Sequence, residues 1–180
     1  MLLKSFNSSQ RRYRLTLDFM NEALQPPATI LDLGTPNPLS EQMKRDGVTV
    51  LNTYVDLDRN PKHLRQFESV DICTAFEIFE HLLNPMSVLE SLPCNRLFAS
   101  VPLSLWFSSA YRNQEDPWDR HFHEFEEWQF DWLLEHTGWK ILRRQRWTNP
   151  VGKIGIRPVL RLFTPRWYIV EAVRENSRPD

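Results

Sequence analysis

Short apolar runs, each closed by a turn residue and separated by amphipathic stretches, constrain this chain more than any other feature. Ala28 to Leu33 is apolar, partly β-branched and closes on Gly34; Val48 to Val55 is β-rich and stops at Asp56. Val70 to Phe76 and Arg96 to Val101 follow, the latter ended by Pro102. Runs of this kind suit strands buried in a sheet. Between them, Ser40 to Asp46 with Gly47 as C-cap, Ile78 to Leu83 and Pro85 to Leu92 read as helical. A leading helix over Tyr13 to Leu24 cannot pass Pro26-Pro27, and Glu126 to His136 makes a late amphipathic helix capped by Gly138. Trp139 to Trp147 and Arg166 to Val173 read as two final strands joined by a Pro/Gly-punctuated connection. The order predicts a Rossmann-like α/β/α sandwich of three layers, with a mostly parallel sheet and a terminal antiparallel strand. Ligands are then expected beyond the C-terminal ends of the strands.

The 180 residues fit a single domain over 1–180, with a leading helix in 1–27 and a lid-like insertion over 103–125. With 41% hydrophobic and 25% charged residues, neither disorder nor a membrane protein is indicated. No apolar run approaches the roughly 18 residues that span a bilayer, and the N-terminus lacks a signal-peptide core, so no membrane partner and no export are expected. Cys73 and Cys94 lack the close spacing of a zinc or redox motif and read as buried thiols of a reducing compartment, which places the chain in the cytoplasm. A net charge of −1 argues against a generally polyanion-binding surface, and no sequence-specific DNA binding is expected.

The segment Ile30-Leu31-Asp32-Leu33-Gly34 resembles the cofactor-binding opening of the class I S-adenosylmethionine-dependent methyltransferases, in which an acidic residue precedes alternating glycines. Asp32 and Gly34 match; Pro36 and Pro38 stand where the next glycines belong. Proline lacks an N–H and cannot take φ > 0, so close approach of a cofactor to this backbone is the point at issue. Asp56 and Asp58 follow at the distance where such folds place a carboxylate on the ribose hydroxyls, although a solvated turn closing a strand would look the same. Only Arg59 to Ser69 separate Asp58 from the next strand, too few for the family's usual extra helix and strand.

The passage from Phe67 to Pro85 is similar to the family's fourth-strand region, where an aspartate opens the strand and a Glu-x-x-Glu-His-Leu turn closes it. Here these are Asp71 and Glu77-Ile78-Phe79-Glu80-His81-Leu82. With Gly138-Trp139, the resemblance covers roughly residues 28 to 147. It implies S-adenosylmethionine as cofactor, bound by Asp32, Gly34, Asp56, Asp58, Phe76 and Glu77. Glu77, Glu80 and His81 at i, i+3 and i+4 would share one face of a helical turn and could hold a divalent ion, Mg²⁺ or Mn²⁺. The His121-Phe122-His123-Glu124 segment is the source of a further ligand, and His123 is taken for it. This arrangement resembles the metal-assisted small-RNA 2′-O-methyltransferases, and the short motif also appears in ubiquinone-pathway O-methyltransferases. In both, the resemblance implies an ion polarising a substrate hydroxyl. Without an ion, His81 is the candidate general base. The plainer reading sets the carboxylates at a helix N-terminus and His81 in the packing.

Trp106, Phe107, Tyr111 and Trp118 either cover a substrate or anchor the lid to the core. Eight Lys or Arg residues from Lys140 to Arg166 (Lys140, Arg143, Arg144, Arg146, Lys153, Arg157, Arg161 and Arg166) occur without an acid, which describes either a face for RNA or a charged edge strand. The functional expectation is a methyltransferase acting on a hydroxyl or amine of a small molecule or RNA. The competing expectation is a methyltransferase-like domain that has lost its cofactor and binds a partner.

Overall fold

The computed structural model describes residues 2–45, 47–151 and 154–175; Met1, Asp46, Gly152, Lys153 and residues 176–180 lie outside them. The elements are α1 (Leu2–Asn21), β1 (Ala28–Asp32), α2 (Pro38–Met43), β2 (Val48–Asn52), β3 (Ile72–Phe76), α3 (Pro85–Ser91), β4 (Arg96–Pro102), α4 (Glu127–His136), β5 (Trp139–Thr148), α5 (Ile156–Phe163) and β6 (Pro165–Arg174). Short 3₁₀ turns occupy Pro61–Gln66, Phe79–His81 and Pro117–Asp119.

The six strands form one sheet in the order β2-β1-β3-β4-β6-β5. β1 pairs in parallel with β2 and β3, and β3 with β4; β6 then runs antiparallel to both β4 and β5. Side-chain alternation along the strands divides the core into two clusters. Ile30, Ile72, Phe98 and Ile169 meet Phe19, Met20 and Met43 from α1 and α2, whereas Leu31, Cys73, Leu97, Ala99 and Val170 meet Val88, Leu89, Phe130 and Leu134 from α3 and α4. Neighbouring residues of a strand point to opposite faces, so both sides of the sheet are covered and three layers result.

Three expectations are corrected. β2 stops at Asn52 rather than Val55, because Asn52 and Thr53 turn their side chains onto the end of β1. The connection before β6 contains a helix, α5, which Gly155 and Pro158 disguise in the sequence as a loop. Cys73 and Cys94 are disulfide-bonded, with Cα atoms 6.2 Å apart. The β3-α3-β4 crossover sets Cys73 opposite Leu97 and so brings residue 94 alongside, which removes the cysteine argument for a reducing compartment. Between β2 and β3 only the Pro61–Gln66 turn is present, so β2 forms the sheet edge.

Candidate functional site

From β1 the chain crosses to β2 on one side and later enters β3 on the other, so the strand order reverses between β1 and β3. A crevice beyond the strand ends at such a point is the usual ligand site of an open α/β sheet. Its two lips are Gly34 and the Phe76-Glu77 step. Gly34 has φ +95, a conformation that side chains resist, and a Cβ there would come within 3.4 Å of Ile78 Cδ1. Pro36 and Pro38 are exposed. Pro38 opens α2, and the Asn37 side chain caps it by accepting from Leu39 and Ser40 N–H. The prolines therefore flank a helix start at the surface.

β1 is latched to β2 at its tip. The Gly34 N–H donates to Thr53 Oγ1 at 2.7 Å, and Asn52 Nδ2 donates to Asp32 Oδ2 at 3.2 Å and to the Gly34 carbonyl at 3.3 Å. Thr74 Oγ1 on β3 donates to the other Asp32 oxygen at 2.7 Å. Asp32 thus joins three strands from a buried position and orients the loop that follows it. Burial pushes its carboxyl up to about 6, against the lowering effect of the Thr74 and Asn52 hydrogen bonds. A folded-state value above the unfolded one means that the native protein holds more protons between the two. The stability contribution of this group is full below pH 4 and is lost as pH rises through 6. Asp32→Asn should therefore flatten the decline in urea-unfolding free energy over that window by on the order of 2–3 kcal/mol. An unchanged pH profile would contradict this.

Asp56 and Asp58 lie beyond the end of β2, and backbone groups engage both. Asp56 Oδ1 accepts from the N–H groups of Asp58 and Arg59, while Asp58 accepts from those of Leu83 at 2.9 Å and Asn84 at 3.0 Å. Asp58 thereby ties the loop after β2 to the chain just past His81. The residue level with Asp32 at the strand tip is Asn52, an amide that the sequence analysis did not single out.

Across the crevice, Glu77 has φ +57, an uncommon value for a residue other than glycine. Its carboxylate accepts from Ser100 Oγ and from Arg12 Nη1, both at 3.0 Å. The next turn is 3₁₀ rather than α, so three-residue periodicity and the left-handed Glu77 together separate that carboxylate from its expected partners. The groups that converge are Glu80, His81 and His121, whose ligand atoms lie within 4.8 Å of one another. Of the expected set of Glu77, Glu80, His81 and His123, this group contains Glu80 and His81, with His121 in place of Glu77 and His123. His121 arrives because the backbone N–H groups of Phe122 and His123 both donate to the Glu80 carbonyl, at 2.7 and 3.2 Å.

Several polar atoms in and beside this cluster lack hydrogen-bond partners. Glu80 is 1% exposed and its Oε2 has none; His121 Nδ1 and His123 Nε2 are also buried without one. Buried polar atoms are nearly always satisfied, and coordination to a cation is one way in which atoms of this kind find a partner. Burial raises the Glu80 carboxyl, and the Glu77 charge raises it further. Burial lowers His121, with the neighbouring His81 adding to the effect, which favours a neutral ring with a lone pair. His81 Nδ1 lies 3.1 Å from the Arg120 carbonyl; a proton there donates to it and leaves the Nε2 lone pair, 3.8 Å from Glu80 Oε1, facing the cluster. Arg12 and Ser100 were not singled out from the sequence, and His121 was named only as part of its segment, with His123 taken for the ligand. His121 and His123 are two residues apart and would share a face if the chain were extended, so spacing alone does not choose between them.

No protein-family profile matches the chain, and no curated protein sequence does. Solved structures do. A SAM-dependent methyltransferase from Methanosarcina mazei superposes with TM-score 0.57 at 13% identity, covering 88% of this chain and 98% of its own. Magnesium protoporphyrin IX methyltransferase from Synechocystis, solved with bound SAH, gives TM-score 0.55 at 13% identity, with coverage of 93% and 84%. The [4+2]-cyclase SpnF gives TM-score 0.58 at 14% identity, with coverage of 93% and 83%. The chain has the class I methyltransferase fold. Since a protein named for cyclisation shares it, the chemistry has to be argued from the site.

Around this methyltransferase-fold crevice, the insertion after β4 forms a hollow of about 330 Å³ beside His121, lined by Tyr111, Asn113, Arg120 and Phe122 among others. Tyr111 lies 4.5 Å from the His121 ring and donates its hydroxyl to Asp119 Oδ2 at 2.5 Å. Trp106 and Trp118 are 78% and 80% exposed, so Leu103, Leu105 and Phe125, not these tryptophans, anchor the segment. Acids from elsewhere in the chain meet much of the basic run. Arg143 pairs with Glu171 and Glu22, Arg144 with Asp131, Arg146 with Glu127 and Arg166 with Glu124. Lys153 lies outside the described residues.

Proposed function

We propose that the chain is an S-adenosylmethionine-dependent methyltransferase acting on a hydroxyl of a small molecule, assisted by a divalent cation held by Glu80, His81 and His121. The buried Glu80 carboxyl, which converges with His81 and His121 within 4.8 Å and whose Oε2 has no hydrogen-bond partner, carries this reading, because its charged form needs a cation there. One carboxylate and two imidazoles suit Mn²⁺, which accepts nitrogen as well as oxygen donors, better than Mg²⁺, which prefers oxygen donors. Bound there, the ion would polarise an acceptor hydroxyl; S-adenosylmethionine would supply the methyl group and become S-adenosylhomocysteine as the acceptor loses its proton.

The chain's own contribution is mostly placement. Gly34 lets the backbone at the β1 tip turn close to a nucleoside, and Asp32 with Asn52 holds that turn. Arg12 on α1, paired with Glu77, closes the N-terminal helix over the same crevice. The exposed position of Pro36 and Pro38 supports cofactor binding over a partner module without cofactor. Neutralisation of Arg143, Arg144, Arg146 and Arg166 by internal acids supports a small acceptor over RNA.

Thermal melting with and without ions tests the metal. Mn²⁺ at saturating concentration should raise the melting temperature, with a smaller rise for Mg²⁺, by the linkage of a ligand that binds only the native state. Identical curves in Mn²⁺ and in chelator would remove the ion from the proposal.

A further inference from the structure

The helix α5 lies on the surface with its apolar side outward. Ile156, Val159, Leu162 and Phe163 are 81%, 53%, 49% and 78% exposed, Ile154 before them is fully exposed, and no residue of the helix is buried. At about 100° per residue, Ile156, Val159 and Phe163 share one side, and Arg157 and Arg161 lie together on the adjoining flank. The partly covered positions are Pro158, Leu160 and Arg161, and the other five residues of the helix are exposed. In a water-soluble setting this orientation is inverted.

The apolar surface continues past the helix. Leu105, Trp106, Trp128 and Phe163 line an open groove of about 1020 Å³ between α5, the start of α4 and the segment after β4, whose acids Glu126 and Glu127 are held by Trp128 Nε1 and Arg146. Trp106 stands at its rim, and Trp128 packs edge-on against Trp132, itself 63% exposed. Tryptophan, whose ring is apolar and whose N–H is polar, favours the boundary between hydrocarbon and headgroups.

Charge selects the occupant. Arg143, Arg144, Arg146 and Arg166 are consumed by internal acids, but among the described residues no ion pair engages Arg157 or Arg161. An eight-residue helix is about 12 Å long, and its face alone falls short of the roughly 800 Å² per partner typical of stable protein interfaces. A bilayer sets no such minimum, since each apolar side chain inserts separately and each cation gains from anionic lipid.

We propose that α5, together with Trp106 at the groove rim, is a docking surface for membranes carrying anionic headgroups. No helix among the described residues is long and apolar enough to cross a membrane, so the contact is interfacial. The expectation of no membrane partner rests on the lack of a spanning run, which an in-plane helix does not need. This surface is independent of whether the crevice transfers methyl groups.

The test is co-sedimentation of the full chain with phosphatidylcholine vesicles, with and without phosphatidylserine. The wild type should partition onto the phosphatidylserine vesicles, less onto phosphatidylcholine alone and less at high salt. The double variant Ile156→Asp/Phe163→Asp should lose at least about tenfold in partitioning, since each change removes an inserted apolar side chain. Its melting curve should be unchanged, because both side chains are exposed. No sedimentation with either vesicle, or equal sedimentation of the double variant, overturns the proposal. So does a lipid-free dimer, seen by sedimentation velocity, that the double variant breaks, because the face would then join two copies of the chain.

Discussion

Glu80→Gln is expected to abolish the Mn²⁺-dependent rise in melting temperature and to lower methyl transfer by about 100-fold or more, the scale of losing several kcal/mol of charge stabilisation. The same substitution should leave the ion-free protein more stable than the wild type at neutral pH. Burial, and secondarily the Glu77 charge, raises the Glu80 carboxyl, so without an ion its stability contribution declines as pH rises through the folded-state value. Glutamine keeps the shape and has no charge to desolvate. The two effects have opposite signs, which separates a metal ligand from a merely structural carboxylate. A variant that keeps the Mn²⁺ response would show that the ion binds elsewhere or that Glu80 is not its ligand. Melting curves in chelator and in Mn²⁺, over pH 5 to 8, give both readings.

Glu171→Ala should destabilise the protein by about 3 kcal/mol, a fall in melting temperature on the order of 10 °C for a chain of this size. Glu171 sits on β6 with its side chain 3% exposed, between Arg96 on β4 at 3.0 Å from Nε and Arg143 on β5. One carboxylate therefore answers two guanidiniums, each about one-third exposed, and ties the antiparallel end of the sheet together. Removal would take from Arg96 its acid and leave Arg143, 4.5 Å over the Phe19 ring, with Glu22 and the Phe19 carbonyl alone. Glu171→Gln keeps an acceptor and should cost less. A loss below about 1 kcal/mol for the alanine variant, measured by urea unfolding, would place these pairs with ordinary surface salt bridges.

The sequence made the frame readable because hydrophobic burial sets strand and helix periods directly. Ala28 to Leu33 and Arg96 to Val101 are apolar enough to require cover on two faces, and Gly138 ends α4 where the capping rule expects it. The abridged stretch between β2 and β3 was also visible by length alone. What escaped depends on contacts between distant residues. The end of β2 is set by Asn52 reaching Asp32 and Gly34, not by any break in β propensity. The choice of His121 over His123 depends on how the Glu80 carbonyl seats two successive N–H groups. The charge of the run from Lys140 to Arg166 looked free because its acids, Glu22, Glu127, Asp131 and Glu171, are remote or on the adjoining strand. The Cys73–Cys94 bond follows from a crossover whose geometry the 21-residue separation does not express.

Calorimetric titration of the folded chain with S-adenosylmethionine tests the central claim most directly. The account predicts saturable binding at one site per chain, weakened strongly by Gly34→Val, whose side chain would be strained at φ +95 and press on Ile78, in a variant shown by circular dichroism to remain folded. Absence of heat in well-folded wild-type protein, with or without Mn²⁺, would contradict it.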